Sequence, residues 1–256
     1  METQTGEKLV QELREQVSNL LAAAQLLTPL VRERGSKKDM EYLAVMNQNL
    51  YRLLRTVAHL ELSRERPPLC RKEKLDLAGL CRNLARQVEP LAERMGVSFR
   101  CELESENLLA EADGTLLEQA VLNLIANALE AVGAGGHVVL RLSRKGARAL
   151  LSVGDDGPGL RGEERPKDPL LKQPGGVGLG LTAARQIAAL HGGVLVLENR
   201  EECGVRAVLS LPVSRDEGGL VRSPQMGYDR FGGFSTALVE LSQILPLEAF
   251  LPDDVE

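Results

Sequence analysis

Two long stretches near the N-terminus carry apolar residues at alternating steps of four and three. Leu9 is followed by Leu13, Val17, Leu20, Ala24, Leu27 and Val31, and after Gly35-Ser36 the pattern resumes at Leu43, Met46, Leu50, Leu53, Val57 and Leu60. This spacing is a heptad seam, and it predicts two helices folded back as an antiparallel hairpin. Leu21, Leu26, Leu30 and Leu54 widen the apolar stripe beyond a two-helix contact. Pairing two hairpins into a four-helix bundle would cover the excess, and packing on a second domain of the same chain is the other solution. Pro29 falls inside the first helix and is expected to kink it, because it removes a backbone donor.

Pro67-Pro68 interrupts the helical pattern and marks a domain boundary. Short alternating runs then predict strands at 70–75, 97–103, 137–143, 149–153, 194–198 and 205–211. Helical patterns lie between them at 77–94, 115–132 and 181–190, so the second unit reads as a layered α/β domain with a mixed sheet. A last amphipathic run, 236–245, places Leu238, Leu241, Ile244 and Leu245 on one face.

The helix predicted at 115–132 has two stripes. Leu117, Ala120, Val121, Leu124, Ile125, Ala128 and Leu129 form a core face, while Gln119, Asn123, Asn127 and Glu130 line another. Asparagine competes for backbone hydrogen bonds and is a poor interior helix residue. Two on one face are either a solvated surface or a set of neutral oxygen ligands, and such oxygens suit Mg2+, which keeps several waters and bridges to substrate phosphates.

Two glycine clusters follow, Asp155-Asp156-Gly157-Pro158-Gly159 and Gly175-Gly176-Val177-Gly178-Leu179-Gly180-Leu181. The second runs straight into an apolar helix, the arrangement by which backbone amides and a helix N-terminus accept an anion. No Lys-Ser or Lys-Thr follows, so this is not the Walker loop.

Composition narrows the partners. The net charge of -5 gives no basic footprint, and aromatics at 3% with no Trp provide no base-stacking platform, so nucleic acid is not expected. Four scattered cysteines without CxxC spacing fit a reduced cytoplasm, and no apolar run is long enough to span a bilayer.

Taken in order, these motifs resemble the Bergerat-type ATP-binding domain of the histidine kinase, gyrase, Hsp90 and MutL superfamily. Residues 117–131 resemble its asparagine box, Asp155 to Gly159 its first glycine box, and 176–181 its second. His191-Gly192-Gly193 and 204–212 resemble the helix end and final strand found in histidine kinases, and the hairpin resembles their dimerisation domain. The implied fold class is α+β, a helical hairpin (1–66) followed by a Bergerat α/β sandwich (67–212) and a C-terminal extension (213–256). The resemblance implies that Asp155 accepts a hydrogen bond from the adenine amino group, with Gly157 and Gly159 lining the base pocket. Asn127 would hold Mg2+ directly and Asn123 would position it or the phosphates, while Gly176, Gly178, Gly180 and Leu181 would form the phosphate lid. The other branches have a glutamate general base where this chain has Asn123, which points to the kinase branch.

Three departures qualify the expectation. The acceptor histidine of the kinases opens a His-Glu-Leu-Arg type box, and Gln11-Glu12-Leu13-Arg14 stands there instead. A rival register on Thr28-Pro29-Leu30 puts Ala24 at that position, and neither residue is a phosphate nucleophile. Glu12 would be the base left over from the box. His59, the hairpin's histidine, reads as a polar position beside the seam. Next, the segment between the glycine boxes is short and lacks the usual phenylalanines, although Lys167 and Lys172 remain as cations. Finally, Glu130 stands where many relatives have lysine or another acid. The expected function is a cytoplasmic, homodimeric, histidine-kinase-like protein that binds ATP and Mg2+ and works with a response-regulator receiver or a kinase partner. Transfer would need an acceptor in trans; a pseudokinase scaffold is the alternative. The extension is expected to pad its own domain, or to dock on a partner or on the lid.

Overall fold

The structure is a computed structural model that describes residues 2–62, 69–106, 108–160, 179–214 and 234–251, with side chains from Leu9 onward. Helices α1 (Glu2–Arg34) and α2 (Lys37–Leu62) form the expected hairpin. Its turn is closed by a reciprocal cap. Ser36 Oγ accepts from the Asp39 amide, and the Asp39 carboxylate accepts from the Ser36 amide at 2.6 Å, which satisfies two end groups of α2 at once. Helix α1 runs on through Pro29 to Arg34.

The periodicity places the seam in part: Val17, Ala24, Leu43, Leu50 and Val57 are buried as expected, and the remaining seam positions mostly are not. Val17, Leu21, Ala24 and Thr28 of α1 are buried, as are Leu50, Leu54 and Ala58 of α2, whereas Leu13, Leu20, Leu27, Met46, Leu53 and Leu60 are exposed. Leu21 and Leu54, read from sequence as surplus, are fully covered. A wide apolar arc supports more than one heptad frame, and the frame that faces inward is chosen by what α2 packs against on its far side. That partner is the rest of the chain, so the hairpin packs on its own second domain along one face and keeps a second apolar face open.

The second unit begins with β1 (Glu73–Asp76), which pairs antiparallel with β3 (Leu109–Ala112) in a small two-stranded sheet. Between them come α3 (Leu77–Arg94) and β2 (Ser98–Leu103). Helix α4 (Gly114–Val132), β4 (His137–Lys145), β5 (Arg148–Asp155), α5 (Leu179–Leu190), β6 (Val194–Asn199) and β7 (Val205–Pro212) follow. The main sheet has the order β2-β4-β5-β7-β6, parallel only between β2 and β4. One face carries Val138, Leu140, Leu142, Ala149, Leu151, Val153, Leu209 and Leu211 and is covered by α3, α4 and α5. The other is open enough to leave Val194 and Val196 exposed, as expected of a largely antiparallel sheet.

Strand β3 is absent from the sequence expectation. Its residues Leu-Ala-Glu-Ala have little β preference, and only pairing with β1 makes them a strand. The C-terminal amphipathic run forms α6 (Thr236–Leu241), shorter than expected, followed by a turn and a 3-10 helix at Leu247–Phe250. Ser235 caps α6, its hydroxyl accepting from the Leu238 amide.

Asp113 starts α4, its carboxylate accepting from the Leu116 amide. His191, at the end of α5, ties to the same corner. The Asp113 amide donates to His191 Nε2 at 2.9 Å, so that nitrogen carries no proton, and Nδ1–H donates to the Ile187 carbonyl at 2.7 Å. Burial, against the favourable Ile187 bond, pushes the pKa of this ring below the ordinary histidine value. Above about pH 6.5 neither the folded nor the unfolded chain protonates this histidine. Below it the unfolded chain gains a proton that the folded ring refuses, so stability is lost as pH falls towards the lower folded value. Melting temperature should therefore drop on acidification from neutral pH to about 5.5, and His191→Gln should drop less. Equal drops in the two proteins would contradict the assignment.

Candidate nucleotide-binding site

Burial alternates along β5, with Ala149, Leu151, Val153 and Asp155 pointing to the helix-covered face. Asp155 is thus the last inward residue of a core strand, 4% exposed. Its Oδ1 accepts from the Gly157 amide at 3.0 Å and the Val205 amide at 3.1 Å, and its carbonyl accepts from Arg200 Nη1 at 2.6 Å. Asp156 turns the other way, its carboxylate accepting from the His137 amide and facing the His137 ring. The two adjacent aspartates thus have different hydrogen-bond partners.

Two glycines around Asp155 are required for different reasons. Gly159 has φ +79°, a left-handed conformation that costs other residues energy. Gly204 has φ +86°, and a Cβ there would lie 1.9 Å from the Asp155 carbonyl oxygen. Asn199 braces the exit of the first glycine cluster, its Oδ1 accepting from the Leu160 amide at 2.7 Å. Asn199, Arg200 and Gly204 were not singled out from sequence; their distance along the chain from Asp155 hides the connection.

Helix α4 packs against β5. Leu117, Ala120, Val121, Leu124, Ile125 and Leu129 lie in the core, as expected. Its polar stripe is not a solvated face over its first half. Gln119 and Asn123 have no exposure, Asn127 is half-buried, and only Glu130 is exposed. Gly180, in the first turn of α5, is needed for close approach. A Cβ on it would meet Asn123 Oδ1 at 2.6 Å. The expected site residues that the structure describes are Asn123 and Asn127 on α4, Gly180 and Leu181 at the start of α5, Asp155 at the end of β5, and Gly157 and Gly159 just beyond it. Leu181 is half-buried in α5. Gly176, Gly178, Lys167 and Lys172 lie outside the described residues.

What covers Asn123 was not legible. Arg55 Nη2 of α2 donates to Asn123 Oδ1 at 3.2 Å, and His59 Nε2 lies 2.9 Å from Asn123 Nδ2. Behind them stands Glu240 of α6, with no exposure, whose Oε2 is 3.3 Å from Arg55 Nε and 2.8 Å from His59 Nε2. Burial alone would raise the Glu240 pKa, but His59 and Arg55 hold it below the ordinary carboxylate value. His59 is therefore a member of a buried charge cluster and does not sit beside a helical seam.

The cluster is incompletely satisfied. One ring nitrogen cannot both donate to a carboxylate and accept from an amide. The charge-assisted donation from His59 to Glu240 is the stronger, so Asn123 Nδ2 gains no bond from its contact. Turning the amide over would set its nitrogen against Arg55, donor against donor. Glu240 Oε1 is buried without a hydrogen-bond partner. Gln119 lies close enough to help lower that carboxyl, yet neither polar atom of its side chain has a partner in hydrogen-bonding geometry. Each such atom costs roughly 1–3 kcal/mol. Asn127 Nδ2 is likewise buried and unpartnered.

The hairpin positions are placed as follows. Gln11 is exposed on α1 and reaches Glu15, Glu12 is exposed, and Ala24 is buried with its carbonyl accepting from the Thr28 hydroxyl.

The sequence profile described as histidine kinase-, DNA gyrase B- and HSP90-like ATPase matches residues 112–215. Among solved structures, the catalytic domain of the histidine kinase ThkA superposes with a TM-score of 0.51 at 32% identity, over 55% of this chain and 95% of that one. This chain belongs to that ATPase family. Full-length ShkA in complex with AMPPNP shares the fold over 87% of this chain and 47% of its own, with a TM-score of 0.65 and 22% identity. Among curated proteins, the alginate biosynthesis sensor protein KinB of Pseudomonas aeruginosa is 28% identical over 79% of this chain. The adaptive-response sensory kinase SasA of a Synechococcus species is 32% identical over 57% of it. The chain spans 35% and 40% of the lengths of these two relatives. It thus carries a histidine-kinase-type ATPase domain, a class that binds ATP, usually with Mg2+.

The residues present suit that ligand. Among the described residues no cluster of three acidic, histidine or cysteine side chains could hold a metal alone. The side-chain oxygen of an α4 asparagine is a neutral ligand that can share a Mg2+ with phosphate oxygens and water, and the unpartnered Asn127 Nδ2 is a donor free for a phosphate oxygen. All four cysteines are free, and no described helix is long and apolar enough to cross a membrane.

Proposed function

We propose that this chain is a histidine-kinase-like component of two-component signalling that binds Mg-ATP in residues 67–212 and dimerises through its hairpin, 1–66. The single observation that carries the nucleotide reading is Asp155. It is a buried carboxylate at the end of a core strand, with one oxygen accepting from two backbone amides and with Gly204 packed where a Cβ would strike its carbonyl oxygen. Its second oxygen is the acceptor offered to the adenine amino group, and Gly157 and Gly159 leave room for the base. Asn127 holds Mg2+ and Asn123 positions it or the phosphates. Gly180 and Leu181, at the start of α5, offer their amides to the phosphates, and Gly176 and Gly178 of the second glycine cluster are assigned the same task from the sequence. ATP supplies a transferable phosphoryl group, and the protein's part is to position it and neutralise its charge.

Dimerisation is supported by the open stripe of Leu13, Leu20 and Leu27 on α1 beside Met46, Leu53 and Leu60 on α2, each set spaced by seven. Apolar rows of this length are seldom left in water. Gln11, which the resemblance puts at the acceptor position, is exposed, whereas Ala24 of the rival register is buried, and this supports the Gln11 register. With glutamine there, phosphate leaves for an acceptor in trans, a receiver or a kinase partner. ThkA has been seen in complex with the response regulator protein TrrA, over 81% of this chain at 25% identity. A second reading, a pseudokinase that senses ATP without transfer, is favoured by the engagement of Asn123 with Arg55.

Mg-ATP should raise the melting temperature of the pure protein, by an amount set by ligand excess over Kd, and Asp155→Asn should abolish the rise. An unchanged rise in the mutant would remove the adenine assignment. With radiolabelled ATP the pure protein should acquire no acid-labile phosphohistidine. Label that survives loss of His59 and vanishes with His137 or His191 would place the acceptor within the chain.

A further inference from the structure

We propose that Arg55 and His59 form a phosphate subsite beside Asn123, and that Glu240 occupies it as an internal competitor carried by the C-terminal extension. The inference rests on the nucleotide reading above and adds residues that lie in none of its motifs.

Arg55 is 7% exposed and His59 3%, so neither is a surface group that swept across the site by chance. Both come from one face of α2, one turn apart, and both converge on a single carboxylate oxygen. They do so where the site needs positive charge. Arg55 reaches the side chain of Asn123, and its Nη2 would lie 3.6 Å from a Cβ on Gly180, at the start of α5. A guanidinium and an imidazole beside a helix N-terminus form a site for an anion with several oxygens. Glu240 supplies only one, and its other oxygen is buried without a partner, as are both polar atoms of Gln119. A phosphate has oxygens enough for the Arg55 and His59 donors and for the unpartnered Gln119 Nε2.

The extension is built to be held, and it is held by contacts that do not depend on the carboxylate. Asn47 Nδ2 donates to the Phe250 carbonyl, Gln48 Nε2 to the Leu245 carbonyl and Arg52 Nε to the Ser242 carbonyl. Tyr51 lies between Phe234 and Phe250, with ring centroids 6.1 and 5.6 Å away. Hydrogen bonds to main-chain carbonyls together with ring contacts dock a segment at a fixed register, and here that register delivers Glu240 to Arg55 and His59. When phosphate takes Arg55 and His59, Glu240 loses both partners of its paired oxygen and cannot remain buried as a carboxylate. Nucleotide binding and docking of residues 234–251 therefore exclude each other. The apparent affinity for ATP is reduced by the fraction of molecules in which the segment is docked.

Calorimetric titration of Mg-ATP into the full chain tests this, with circular dichroism confirming the fold of each variant. Glu240→Gln, which keeps the shape and removes the charge, should bind Mg-ATP about tenfold more tightly than wild type. Phe250→Ser, which weakens docking from a distance, should shift affinity in the same direction. Arg55→Gln added to Glu240→Gln should cancel the gain. If both single variants bind as wild type or more weakly while Asp155→Asn still abolishes binding, the proposal is overturned and the nucleotide site stands. If no version binds Mg-ATP, the site reading fails and the proposal falls with it.

Discussion

A carboxylate buried without exposure cannot stay charged alone, because removing it from water costs far more than packing returns. Glu240 is such a group, and its charge requires Arg55 and His59 to be held within hydrogen-bonding distance. The bonds of Asn47, Gln48 and Arg52 to carbonyls of the extension hold α6 on α2 at the register that meets this requirement, and Arg55 and His59 join the pair to Asn123 of α4. The hairpin, the extension and the ATPase domain are therefore not independent parts. The face of α2 that is not in the hairpin seam is committed to this junction, which is why the seam sits where it does and why Leu21 and Leu54 are buried while Leu20 and Leu53 remain open.

The same cluster sets the state of Asn123. The position proposed to serve Mg2+ and phosphate faces an arginine and a histidine of the hairpin in this structure. Because one ring nitrogen must choose between carboxylate and amide, and because Glu240 Oε1 and Gln119 are left unpartnered, the arrangement is stable only by packing around it. A polar core that is partly satisfied is held less firmly than an apolar one of equal size.

Much of the fold was legible because its signals are local. The bounds of α3, the turn at Gly35-Ser36 and the alternation of β4, β5 and β7 follow from periodicity within a few residues. The glycines around Asp155 and the start of α5 likewise announce close approach of backbone. Strand β3 was missed because its pairing with β1, and not its composition, makes it a strand. The junction at Asn123 was missed for a stronger reason. Arg55 and Glu240 are 185 positions apart, and His59 and Asn123 are 64 apart, so no spacing rule could connect them. His59 looked like a polar residue beside a seam because its partner lay in an extension with no motif of its own. A buried arginine and a buried histidine one turn apart on one helix are the trace that sequence did hold, once burial is known.

Amide hydrogen exchange across 236–250 bears most directly on the central claim that nucleotide and extension compete for one charge pair. Saturating Mg-ATP should accelerate exchange in α6 and the 3-10 helix while slowing it at the end of β5 and the start of α5. Slower or unchanged exchange in 236–250 alongside protection of β5 would show that the extension stays docked when nucleotide binds, and would contradict the account.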